Sequence, residues 1–313
     1  MKTSRSPHRI LISLLAFVGM FFSIGTLVPS AAADNLIENF PVGPSPYGMA
    51  FDGANIWVAN FTGDSVTKLR ASDGVILDTI PVGTFPASTA FDGENVWVSI
   101  YNDDELAKIR ASDDTVLGTF PVGEGPENLV FDGSNIWVAN HWSNSVTKLR
   151  ASDGARLQDV VVGEGPTGIA FDGTNIWVTN SKSDTVTKLR ARDGAPRGTF
   201  NVGREPVDVI FDGAKIWVAN YKGSSVTLLR AVDGSLLSEF PTDMQPTAFA
   251  FDGSQMWLTH LGLDLITKHR GRDGFLLQTL PAQDGPQDVL FDGTSIWVSN
   301  TYAATLSKIT HEP

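Results

Sequence analysis

The tripeptide Phe-Asp-Gly recurs seven times at a fixed spacing of 40 residues, at Phe51, Phe91, Phe131, Phe171, Phe211, Phe251 and Phe291. Six residues beyond each Phe stands a Trp, from Trp57 to Trp297. One such unit cannot bury its own apolar face, so neighbouring copies must stack and share a core. The second unit holds four short apolar-rich runs: Pro86 to Phe91, Val96 to Val98, Leu106 to Arg110 and Val116 to Val122. Between them lie Asp92-Gly93, a variable stretch from Tyr101 to Glu105, and Ser112-Asp113-Asp114. These read as four strands, A to D, joined by turns. The fold predicted is all-β: a seven-bladed β-propeller with four-stranded blades.

The Trp strand is apolar on both sides, as in Ile136-Trp137-Val138. A strand with one wet face would alternate. A blade standing radially meets a neighbour on each face, so the Phe and Trp columns are expected to form the inter-blade core. Each such side chain contributes on the order of 2–3 kcal/mol by burial. The last unit ends after its third strand, Leu306 to Ile309, while Phe40-Pro41-Val42-Gly43 aligns with the fourth strand of other units. The N-terminal strand is therefore expected to complete blade seven and remove an exposed edge.

Residues 1–33 stand outside the repeat. Lys2, Arg5 and Arg9 precede an apolar run from Ile10 to Val28 and then Ala31-Ala32-Ala33. This predicts a secretory signal peptide cleaved after Ala33, with residues 34–313 forming a single propeller domain. The alternative is an uncleaved membrane anchor. Cleavage leaves no membrane span and places the protein in the periplasm or outside the cell. The sequence contains no Cys, which excludes disulfides and Cys-ligated metal. The leader holds three bases and no acid, so the formal charge of −12 becomes −15 in the remainder. Such a surface is a poor partner for nucleic acid.

The pattern resembles the YVTN repeat family of bacterial seven-bladed propellers, within the wider virginiamycin B lyase-like group. The resemblance is carried by Ile80-Pro81-Val82-Gly83, Pro86, Phe91-Asp92-Gly93 and Trp177-Val178-Thr179-Asn180, and it covers the whole of residues 34–313. It implies the fold; propellers host binders, scaffolds and enzymes alike. The lyases of this group use a Glu-x-His pair, a further Glu and magnesium. No Glu-x-His occurs in this sequence, so no catalytic residue is carried over.

The seven copies differ mainly in the B–C and D–A loops, which emerge on one face of such a ring. Tyr47, Phe61, Tyr101, His141, Trp142, Tyr221, His260 and Tyr302 lie in or beside these loops, with Glu127. Aromatic side chains of this kind offer large contact area with a polar handle. The same loops carry 14 acids against three bases, Lys182, Arg204 and Lys222. The expected partner is a small molecule, a cationic ligand or a protein bound on this face by a monomer. The A–B and C–D turns of the other face repeat their aspartates uniformly, as turn formers.

Asn128, Asp208 and Asp288 occupy the same position near the start of strand A in blades three, five and seven. Three oxygen donors converging on the axis would suit Mg²⁺ or Ca²⁺. The sequence therefore supports two main readings, beside a third in which the ring is a purely architectural part of an envelope or extracellular assembly. One is an exported binding module working through its aromatic, acidic face. The other is a metal-assisted lyase or lactonase at the mouth of the central channel.

Overall fold

Each Phe-Asp-Gly closes a hairpin through its aspartate. Asp52 Oδ1 accepts the amides of Ala54 at 2.9 Å and Asn55 at 2.7 Å, while Gly53 takes φ +98°. Asp52 Oδ2 accepts the indole N–H of Trp57 at 2.8 Å. The indole–carboxylate bond recurs in all seven units at 2.7–2.9 Å. The same carboxylate thus shapes the turn and fixes the rotamer of the largest core side chain. These bonds hold Asp52, Asp212, Asp252 and Asp292 below the usual carboxylate pKa range against the opposing effect of burial.

The computed structural model describes residues 36–310, so the leader read at residues 1–33 lies outside the described residues. The described chain forms seven four-stranded antiparallel sheets in the order A-B-C-D. Blade one comprises Pro46–Phe51, Asn55–Asn60, Ser65–Arg70 and Ile76–Pro81. Strand A of every blade touches strand A of both neighbours round the full circle, so these strands line the central channel. Blade seven takes its fourth strand from Leu36–Pro41, paired antiparallel with Thr305–Thr310 from Leu36↔Thr310 to Pro41↔Thr305. Phe40 brings its ring to 5.7 Å from Trp297 across that closure. Among the described residues no helix is long and apolar enough to cross a membrane.

The core sits between blades rather than within them. Trp137 shares one cluster with Ile176, Val178 and Leu189 of the next blade, and Trp97 does so with Ile136, Val138 and Leu149. All seven repeat tryptophans are at most 1 % exposed.

A buried lysine accompanies most of them. Lys148 Nζ lies 4.7 Å from the Trp137 ring centroid and donates to the Ala191 carbonyl of the next blade at 2.7 Å. Lys68, Lys108, Lys188 and Lys308 repeat the arrangement, reaching the carbonyls of Ala111, Ala151, Ala231 and Ala71. Blade five has Leu228 at this position. There Lys215, from the neighbouring strand, covers the Trp217 ring at 5.8 Å and donates to the Gly271 carbonyl at 2.8 Å. The ammonium has moved to another strand and kept both partners, so the ammonium tie is what the interface requires. Lys148→Met strands the buried Ala191 carbonyl and is expected to cost about 1–3 kcal/mol, read as a lower thermal midpoint.

Candidate ligand-binding site at the channel mouth

Strand A bends where it enters the ring. In every blade the A–B pairing shifts register just after the opening proline, for example between Pro126 and Leu129, Pro206 and Asp208, and Pro286 and Asp288. Such bulges re-aim side chains out of the pleat. They turn Glu127, Asn128, Asp208 and Asp288 into one cavity of about 360 Å³ at the channel mouth. Tyr47 and Tyr221 stand at the same cavity, as does Glu205. The sequence pattern placed Glu127 with the aromatic residues and, with Asp284, as an assisting group beside the polar set that holds the two aspartates. The ring brings all three carboxyls to a single space.

The two aspartates are clamped. Asp208 Oδ2 accepts the Phe249 amide of blade six at 2.9 Å. Asp288 Oδ2 accepts the Met49 amide of blade one at 2.8 Å, and its Oδ1 accepts the Val289 amide at 2.8 Å. Each therefore ties its blade to the next while a lone pair stays open to the channel. Among the described residues the Glu127 carboxyl has no hydrogen bond and no ion pair.

All three carboxyls are half-buried by surface, because they open onto the channel, yet the ring walls them on every other side. Burial pushes Glu127 up to about 7. Burial, against its two backbone bonds, leaves Asp208 at about 7 as well. Burial and then the Asp208 charge raise Asp288 to about 7. Tyr47 and Tyr101 are raised by burial and next by the Glu127 charge, which places both phenols in its field.

The other residues read from the loops divide. Phe61 forms an aromatic wall with Tyr47 (5.2 Å between centroids), Phe85 (4.9 Å, stacked) and Tyr101 (6.2 Å). Trp142 donates its indole N–H to the Tyr101 hydroxyl at 2.7 Å and remains 56 % exposed. His141 lies edge-on to Trp142 and is half-buried. Tyr302 is exposed above Gly285, close enough to raise Tyr221. His260 departs from the expected surface position. It is 0 % exposed, takes the place of the asparagine in most other blades, and bonds Thr267 Oγ1 at 2.8 Å. Burial drives its pKa down to about 4, so it is a neutral core group and not part of the ligand face.

Sequence reasoning missed Phe85, Glu205, Thr167 and Thr247. The threonines line the cavity and bond Thr179 and Thr259 at 2.9 Å each. Their β-strand setting gave no signal. Glu205 was legible only as one charge among many. Among the described residues no three His, Cys, Asp or Glu side chains stand together as a cation site. The oxygen set Asn128, Asp208 and Asp288 is of the type that suits Mg²⁺ or Ca²⁺, with the aspartates already sharing lone pairs with backbone amides.

No protein-family model matches the chain, and no curated protein sequence matches it. Solved structures do. The chain superposes on the Kuenenia stuttgartiensis hydrazine synthase with a TM-score of 0.78 at 17 % identity, over 86 % of this chain and 96 % of that one. It superposes on a streptogramin B lyase with a TM-score of 0.76 at 18 % identity, over 88 % of this chain and 98 % of that one. Identities this low carry the fold and nothing about activity. The chain is a seven-bladed propeller, and its structural neighbours include a virginiamycin B lyase-like propeller, in keeping with the resemblance drawn from its repeats.

Proposed function

We propose that the protein is an exported binding module that takes a small ligand bearing a protonated amine into the channel mouth. The observation that carries this reading is the unpartnered Glu127 carboxyl in a cavity shared with Asp208, Asp288 and the Tyr47 and Tyr221 phenols. A carboxylate flanked by aromatic rings and tyrosine hydroxyls offers an ammonium both charge and π-face contact. The surrounding acidic loops steer such a cation toward the ring.

Phenethylammonium is a suitable probe. Calorimetric titration at pH 8 is expected to show one site per chain, weakened about tenfold or more in Glu127→Gln and in Tyr47→Ala. No binding, or binding that both substitutions leave unchanged, overturns the reading.

A second reading is favoured by one observation. A carboxyl titrating near 7 without a protein partner also suits a general base. On that reading the site works as a metal-assisted lyase or lactonase, with Asn128, Asp208 and Asp288 holding Mg²⁺ or Ca²⁺. Mg²⁺-dependent turnover of a lactone panel, lost in Asp208→Ala, would replace the binding module with the enzyme.

A further inference from the structure

Glu205 borders two cavities. One is the acidic channel mouth. The other, of about 440 Å³, is bounded by Lys182, Arg204 and Lys222 together with His141 and Asp184. These three cations are the only bases among the B–C and D–A loops of the ring. All three therefore gather in one corner of an otherwise acidic face, formed by blades four and five.

The charges in that corner are not mutually spent. Lys222 is paired with Glu205. Asp184 Oδ1 accepts the Glu205 amide N–H at 2.7 Å. The Lys182 ammonium rests 4.0 Å over the exposed Trp142 ring and makes no ion pair or hydrogen bond among the described residues. Arg204 also lacks a carboxylate partner among the described residues. Apart from Arg197, every other described arginine is ion-paired to an aspartate. An ammonium and a guanidinium left unpaired beside a cavity, on a face rich in acids, are placed to receive an anion from outside. A carboxylate meets both groups with charge-assisted hydrogen bonds, and the guanidinium can hold it with two.

Resting on the channel-mouth reading above, we propose that the ligand is a zwitterion: its ammonium enters the cavity of Glu127, Asp208 and Asp288 while its carboxylate lies on Lys182 and Arg204. Glu205, bordering both spaces and already neutralised by Lys222, forms the threshold between them. The acidic mouth excludes simple carboxylates, and the basic corner rewards an amine that carries one. The pair of subsites therefore sets specificity as well as affinity.

The test uses a homologous series of straight-chain ω-amino acids and the alkylamines of matching length, titrated calorimetrically at pH 8. The best-fitting ω-amino acid is expected to bind about tenfold or more tightly than its matching amine. Arg204→Met and Lys182→Met should each erase most of that gain while leaving amine affinity unchanged. Both side chains are exposed, so the variants should retain the wild-type circular dichroism. Equal binding of amine and amino acid, or a gain that survives both substitutions, overturns the anion subsite and leaves the channel reading intact. Amino acids that bind while amines do not, with Glu127→Gln without effect, overturn the channel reading and with it the placement of the ammonium. Failure of both series overturns the two together.

Discussion

Trp137→Ala is expected to destabilise the protein by about 3–5 kcal/mol and to lower its thermal midpoint by roughly 6–15 °C. The indole is 0 % exposed and wedges blade three against Ile176, Val178 and Leu189 of blade four. Its removal leaves a void that the twisted sheets cannot close, since both walls are anchored by their own strand pairing. Two polar groups each lose one of their partners as well. Asp132 Oδ2 is left without the N–H it accepts at 2.8 Å, and Lys148 loses the ring under its ammonium. Trp137→Phe separates the contributions. It keeps most of the apolar contact and loses the N–H, while Asp132 keeps its bonds from Ser134 and Asn135, so about 1 kcal/mol is expected from the one lost hydrogen bond. A loss below about 1 kcal/mol for the alanine variant would show that the Trp column does not wedge the blades together.

Stability should fall, and cation binding should rise, as pH increases from about 4 to about 8. Glu127, Asp208 and Asp288 each titrate at about 7 in the folded ring. Unfolded, they return to about 4. Between those values the native state holds more protons than the unfolded chain, so stability declines with rising pH. Each group contributes a slope below about 1.4 kcal/mol per pH unit, because channel water screens the charge. Below about pH 4 the sign reverses. There the turn aspartates Asp52, Asp212, Asp252 and Asp292, whose pKa values are depressed, become protonated and release their indole and amide donors. Thermal midpoints are therefore expected to peak at about pH 4. Asp208→Asn should flatten the decline above that peak. Phenethylammonium affinity should run the other way, weak at pH 5.5 and full at pH 8. A midpoint that rises steadily to pH 8, or an affinity indifferent to pH, would refute the shared titration.

The two effects have one cause. The carboxyls that make the channel mouth attractive to a cation are the ones the fold would rather hold neutral. A bound ammonium removes that penalty, so the ligand should stabilise the protein most at high pH.

Much of the architecture was legible in the chain. The runs Pro86 to Phe91 and Leu106 to Arg110 lie on observed strands, and Phe40 does complete blade seven beside Trp297. Turn chemistry and an unbroken 40-residue spacing leave few alternatives. The site was legible only in pieces. Glu127 and Asp208 are 81 positions apart, and only their shared place at the start of strand A links them in the sequence. They meet because a ring returns every strand A to one axis and a bulge turns its first side chains inward. His260 was misplaced because a histidine beside a loop reads as exposed, whereas its ring turns into the blade toward Thr267. The buried lysines escaped notice for a different reason. A cation in an apolar strand reads as solvent-facing until the next blade supplies a carbonyl and an indole.

The closure of blade seven means that the first and last described strands are neighbours, with Leu36 opposite Thr310. The ring contacts do not record which blade is made first. A circular permutant opened at the Asp153-Gly154 turn, with the old ends joined by a short polar linker, should assemble the same seven blades. Its new closing seam would lie inside blade three, held by strand pairing and by Val160 against the Trp137 cluster. Such permutants would show whether this molecule is held by the order of its chain or only by the circle its repeats complete.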